Sequence, residues 1–210
     1  MPHSEDVATQ LLDPYLDMFG RIFPTAWESW ERFGEMTPDL RLQVCPRTRA
    51  TMLNNFAAHA AEEIFEGMGP EIVLTDQPGF LLIIVDSKLH VRLKKYRSRK
   101  GQTSGIPTDQ RELFESQQPL IGFPDASNCV HGYILKRDVS GFAETMITCK
   151  TKKVMHWSID VPMIEAGANV TELPTTPSSG EAAEPGISST MLEEDAEETD
   201  QDAEDGGIGG

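Results

Sequence analysis

With 210 residues and a formal net charge of −16, the chain is long enough to bury one domain's core without covalent staples. Its three scattered cysteines, Cys45, Cys129 and Cys149, exclude a disulfide framework and fit a reducing compartment, the cytoplasm. The longest apolar run, Phe80 to Val85, falls far short of the ~20 residues that cross a bilayer. The opening MPHSEDVATQ has neither the basic start nor the apolar stretch of a secretory signal, so a cytoplasmic protein with no membrane partner is expected.

The first third reads as helix. Val7, Leu11 and Leu12 share a face, and Pro14 suits the first turn of a second segment running through Tyr15, Met18 and Phe19. Pro24 is expected to interrupt that run. Beyond it Trp27 and Trp30 recur at helical spacing and form an apolar ridge, which either packs on the rest of the domain or docks another chain. Pro46 to Met68 is the clearest helix. Met52, Phe56, Ala60 and Ile64, with Leu53, Ala57 and Phe65, make its apolar stripe, and Gly67, Gly69 and Pro70 end it.

Strands follow. Glu71 to Thr75 is short and β-branched, and Phe80 to Val85 suits a strand buried on both faces. Asp86-Ser87 reads as a hairpin turn leading into Leu89 to Tyr96. In that strand Leu89, Val91 and Leu93 share one face, and Lys88, His90, Arg92 and Lys94 the other. Asp109 and Glu112 suggest an Asp-x-x-Glu cap on a helix reaching about Gln117. Three more strands are expected over Cys129 to Lys136, Phe142 to Cys149 and Lys153 to Val161. Short turns between strands favour an α+β fold: N-terminal helices, then a mostly antiparallel sheet of about six strands interrupted by one helix. The expected organisation is a helical segment over 1–36, an α+β core over 37–166 and a disordered acidic tail over 167–210. That tail has too few large apolar residues to offset an ordering cost of ~1–2 kcal/mol per residue.

Charge is distributed unevenly. Lys88 to Lys100 holds seven of the eighteen Lys and Arg residues and no acid, while Thr171 to Gly210 holds twelve acids and no Lys or Arg. The tail thus supplies −12 of the −16, leaving −4 for residues 1–170. The basic run has three readings: a solvated strand face, a site for an acidic protein partner or for the tail itself, or a contact for nucleic acid. In the last, Tyr96 would stack on bases while Arg92, Arg97 and Arg99 met phosphates.

A catalytic pattern competes with these. Asp76 followed by Asp86-Ser87-Lys88 resembles the hairpin of PD-(D/E)xK nucleases. That resemblance implies Mg²⁺ held by Asp76 and Asp86, water activation by Lys88, and a further carboxylate from Glu62 or Glu63. A turn at Asp86-Ser87 would break the site. The five histidines are scattered, with no HExxH and no closed zinc set, and Cys45 lacks an evident His partner. No resident metal or cofactor is therefore expected outside the nuclease alternative.

The series VDSKLHVRLKKYR, IPTDQRELFESQ, IGFP, HGYILKRD and HWSIDVP resembles small bacterial proteins encoded beside ImmA/IrrE-type peptidases or helix-turn-helix regulators. The resemblance spans about residues 70 to 162 and implies a toxin–antitoxin or phage-response operon, with no functional residue carried over. The leading expectation is a non-enzymatic regulatory or adaptor protein that binds a protein partner. Its candidate partner-binding residues are Lys88, His90, Arg92, Lys94, Lys95, Arg97 and Arg99, then Trp27 and Trp30. The alternatives are the Mg²⁺-dependent nuclease and a nucleic-acid binder restrained by its tail.

Overall fold

The computed structural model describes residues 1–77, 79–103, 108–118 and 123–165. The region expected to be a disordered tail lies outside them. Helix α1 (Glu5–Leu12) runs through a 3-10 turn at Asp13–Tyr15 into α2 (Leu16–Met36), followed by α3 (Pro38–Gln43) and α4 (Pro46–Ile64). Strands β1 (Ile72–Gln77), β2 (Phe80–Val85) and β3 (Leu89–Lys95) precede α5 (Asp109–Glu115). Strands β4 (Ser127–Leu135), β5 (Phe142–Thr151) and β6 (Val154–Asp160) complete the order. The fold is α+β, as the strand and helix patterning predicts.

The six strands lie in chain order in a single sheet. Every neighbouring pair is antiparallel except β3 and β4. The parallel pair arises because α5 intervenes there, giving the chain length to return to the same end of the sheet. Two three-stranded meanders therefore lie side by side.

The sheet buries both faces. On one, Leu81, Ile83, Val85, Leu89, Val91 and Leu93 meet a core that also takes in Phe19, Ile22, Phe23 and Trp30 of α2 and Leu53, Ala57 and Ala61 of α4. On the other, Leu82, Ile84, Val130 and Met146 pack with Tyr96 and Phe114 in a smaller cluster. This second cluster makes β2 a strand covered on both sides.

Helix α2 does not stop at Pro24; it continues through it to Met36. Proline has no N–H, so the carbonyl four residues earlier loses its helical partner. Here that carbonyl belongs to Gly20, and the Ile164 N–H donates to it at 3.1 Å. Gly20 is also where the chain passes closest, because a Cβ there would overlap the Pro162 carbonyl. The pair Gly20 and Pro24 thus forms a notch that holds the segment after β6. Helix α4 ends four residues before Met68: Phe65 leaves helical geometry and Gly67 turns the chain at φ +74°.

The cap of α5 lies one residue before the expected Asp109. Thr108 is the N-cap, and its hydroxyl oxygen accepts from the Arg111 N–H at 3.3 Å. Thr108→Ala should cost about 1 kcal/mol, measured as a lower midpoint in urea titration. Beyond the helix, the Gln117 carboxamide behaves like a piece of strand. It donates to the Asn128 carbonyl at 2.6 Å and the Lys150 carbonyl at 2.9 Å, and accepts from the Asn128 N–H at 2.8 Å. These bonds fix the end of α5 against β4 and β5.

Candidate functional site

Asp86 and Ser87 both adopt positive φ, 49° and 55°, and the Lys88 N–H closes on the Val85 carbonyl at 2.9 Å. Positive φ at both central residues defines the type I′ turn that suits a two-residue hairpin. The Asp-x-Lys triplet is therefore a turn rather than a strand segment. Asp76, on β1, pairs with Leu81 at the end of β2 far from that turn. The intervening strand puts on the order of 15 Å between Asp76 and the Asp86–Lys88 turn, so the nuclease arrangement of Asp76, Asp86 and Lys88 is not assembled. Glu62 does share a recess of about 590 Å³ with Asp76, Asn54 and Asn55. Among the described residues, however, no group of three or more His, Cys, Asp or Glu side chains is placed to hold a metal ion.

The tryptophans are core residues rather than a free ridge. Trp30 is buried, stacks on Phe33 at 5.8 Å and carries the Arg41 guanidinium over its ring at 5.7 Å. Trp27 is half-buried and meets Phe142 edge-on at 5.3 Å.

The basic strand departs further from its expected role. His90, Arg92 and Lys94 do share a face, but α5 and Phe123 cover most of it. His90 is fully buried and Arg92 only 6 % exposed, so neither forms part of a solvated stripe. Asn128 donates its amide hydrogens to the Phe114 and Gln118 carbonyls. Its Oδ1 is thereby left as an acceptor for His90 Nδ1 at 3.2 Å, which assigns the proton to Nδ1. Burial holds the His90 pKa below its usual value against the opposing pull of that bond. The Arg92 guanidinium lies between two rings, 3.6 Å from the Phe80 centroid and 4.9 Å from that of Phe114. A desolvated cation–π contact of this kind contributes roughly 2 kcal/mol. Burial pulls the Arg92 pKa down to about 10, with Glu115 opposing. Lys94 is lowered as well, first by burial and then by Arg92 and Arg111.

At the end of β3 the cations reach the surface. Lys94, Lys95 and Arg97 line a groove of about 870 Å³ together with Arg47, Thr51 and Asn54 of α4. Among the described residues, four cations and no acid line this groove. Its other wall begins at Pro46, the first residue of α4, where the positive end of the helix dipole adds to the potential. Lys88 is exposed at the opposite end of β3. Arg99 turns away to Glu144 and Asp160, with its Nη2 3.1 Å from Asp160 Oδ1. Tyr96 is fully buried, and its hydroxyl donates to the Val130 carbonyl at 2.7 Å, so it offers no stacking surface. Of the seven basic-run candidates the groove brings together Lys94, Lys95 and Arg97. Arg47 was not legible as a member, since it stands 47 positions before Lys94 and faces the groove only once α4 crosses the sheet.

No protein-family model, no curated protein and no solved structure matches this chain. Among the described residues, no helix is long and apolar enough to cross a membrane.

Proposed function

We propose that the protein is a non-enzymatic cytoplasmic adaptor whose groove between α4 and β3 captures an acidic segment of a protein partner. The observation that carries this reading is the concentration of Arg47, Lys94, Lys95 and Arg97, with no acid among the described residues, in one groove of a body whose charge is −4 over residues 1–170. Like charges gathered against the sign of their own domain repel one another until an anion arrives. Among the described residues the groove is lined by amide, hydroxyl and methyl groups beside its cations and by no aromatic ring. That chemistry suits the carboxylates and backbone of a peptide better than the bases of a nucleic acid, which ask for stacking. The resemblance to proteins encoded beside ImmA/IrrE-type peptidases or helix-turn-helix regulators suggests where to seek the partner, in the product of an adjacent gene.

The test is fluorescence anisotropy with a labelled Asp/Glu-rich peptide and, in parallel, a single-stranded oligonucleotide of equal charge. Lys95→Glu/Arg97→Glu should weaken peptide binding at least ~10-fold, the order expected when two attractive charge contacts become repulsive. Tighter binding of the oligonucleotide than of the peptide would select the nucleic-acid reading instead. Unchanged peptide affinity in the double variant would remove the groove from the account.

A further inference from the structure

A second basic recess lies beyond the 97–102 turn and shares no lining residue with the groove. Its volume is about 380 Å³, and among the described residues Lys100, Arg111, Lys150, Lys152 and Lys153 line it with a single acid, Glu115. Glu115 is already engaged: Arg111 Nε lies 2.8 Å from Oε1 and Lys150 Nζ 3.3 Å from the same oxygen. Arg92 also feels this carboxylate through space, so Glu115 is shared among Arg92, Arg111 and Lys150. Lys150 is buried along its stem, its side chain 11 % exposed, and its ammonium is held at the recess by Glu115. The Lys152 N–H donates to the Glu115 carbonyl at 2.9 Å, which fastens the β5–β6 turn to the end of α5. Gathering Lys100, Lys150, Lys152 and Lys153 in one concave site costs folding free energy that a bound anion offsets.

We propose that this recess binds a compact, multiply charged phosphoryl anion. Among the described residues the lining contains no aromatic ring, and Met155 is its large apolar residue, so recognition falls on phosphoryl oxygens rather than on a base or a sugar face. Lysine ammoniums act as point charges toward phosphate oxygens. The volume lies at the small end of ligand pockets, roughly 300–1,000 Å³, which favours a diphosphate-sized anion over an extended polymer. Glu115 repels such an anion, and its pairing with Arg111 and Lys150 is what offsets that repulsion. This site is independent of the adaptor reading and uses different residues.

The experiment is thermal unfolding of the full chain at constant ionic strength with inorganic pyrophosphate as the probe. Saturating pyrophosphate should raise the melting temperature by about 5 °C or more, by mass action on the folded state. Lys100→Glu/Lys153→Glu, at two exposed positions, should retain the circular dichroism spectrum and lose the shift. Lys95→Glu/Arg97→Glu should keep it, since those residues line the other groove. No shift in the parent protein overturns the proposal. So does an equal shift with sodium sulfate at matched ionic strength, a shift retained in Lys100→Glu/Lys153→Glu, or a shift lost in Lys95→Glu/Arg97→Glu.

Discussion

Acidification from pH 7 to pH 4 should cost the protein about 3 kcal/mol of stability through His131 alone, and His131→Leu should abolish that component. His131 is fully buried. Its ring meets Phe19 edge-on at 5.4 Å and Phe23 at 4.6 Å, and neither ring nitrogen has a hydrogen-bond partner among the described residues. Burial alone drives its pKa down to about 3. Above the unfolded value of ~6.5 the histidine is neutral in both states and contributes no pH dependence. Below it the unfolded chain takes up a proton that the native chain refuses. Stability then falls by about 1.4 kcal/mol per pH unit until the folded pKa is reached. His90 is displaced in the same direction, so some acid sensitivity should survive in the variant. Urea titrations at pH 7, 6, 5 and 4, followed by tryptophan fluorescence, give the comparison. At pH 7 His131→Leu should be no less stable than the parent, because it removes two buried nitrogens that bond to nothing described. Equal pH slopes in the two proteins would mean that His131 is not held neutral in the core.

The covered face of β3 shows what sequence patterning conveys and where it stops. Alternation along β3 correctly sorted Leu89, Val91 and Leu93 from His90, Arg92 and Lys94, and the positive-φ turn at Asp86-Ser87 was legible from its residue types. Alternation says which residues share a side, but not what lies over that side. Phe114 on α5 and Phe123 close over β3 from 22 or more positions along the chain, which turns a basic stripe into a buried polar layer. Pro24 was misread for a similar reason. A proline breaks a helix when the freed carbonyl finds no donor, and the donor here, Ile164, arrives from the other end of the fold. The phosphoryl recess was hidden for a third reason. Its cations come from the 97–102 turn, from α5 and from the β5–β6 hairpin, and only the β4–β5 register together with the Gln117 bonds brings them to one place. The run Lys150 to Lys153 was its visible trace.

Gly132→Ala should destabilise the protein by about 3 kcal/mol, at the upper end of what overpacking a core costs, and lower its melting temperature by about 10 °C. Gly132 stands on β4 opposite Lys94 and Met146, and a Cβ there would overlap the Tyr96 ring. That ring has nowhere to go. It is 1 % exposed, its hydroxyl is 2.7 Å from both the Val130 carbonyl and Thr148 Oγ1, and its backbone N–H donates to the Tyr133 carbonyl at 2.8 Å. Either the ring moves and two buried hydrogen bonds break, or β3 and β4 separate where they run parallel. The consequence reaches function, because Tyr96 begins the turn that divides the groove of Lys95 and Arg97 from the recess of Lys100. Displacing it should weaken both the peptide and the pyrophosphate responses. Adding Tyr96→Leu to Gly132→Ala gives a double-mutant cycle. The collision predicts that the double variant is more stable than the two single losses would sum to, because the smaller side chain vacates the contested space. Strict additivity, or a Gly132→Ala protein as stable as the parent, would show that the close approach of Tyr96 to Gly132 does not hold β3 and β4 in register.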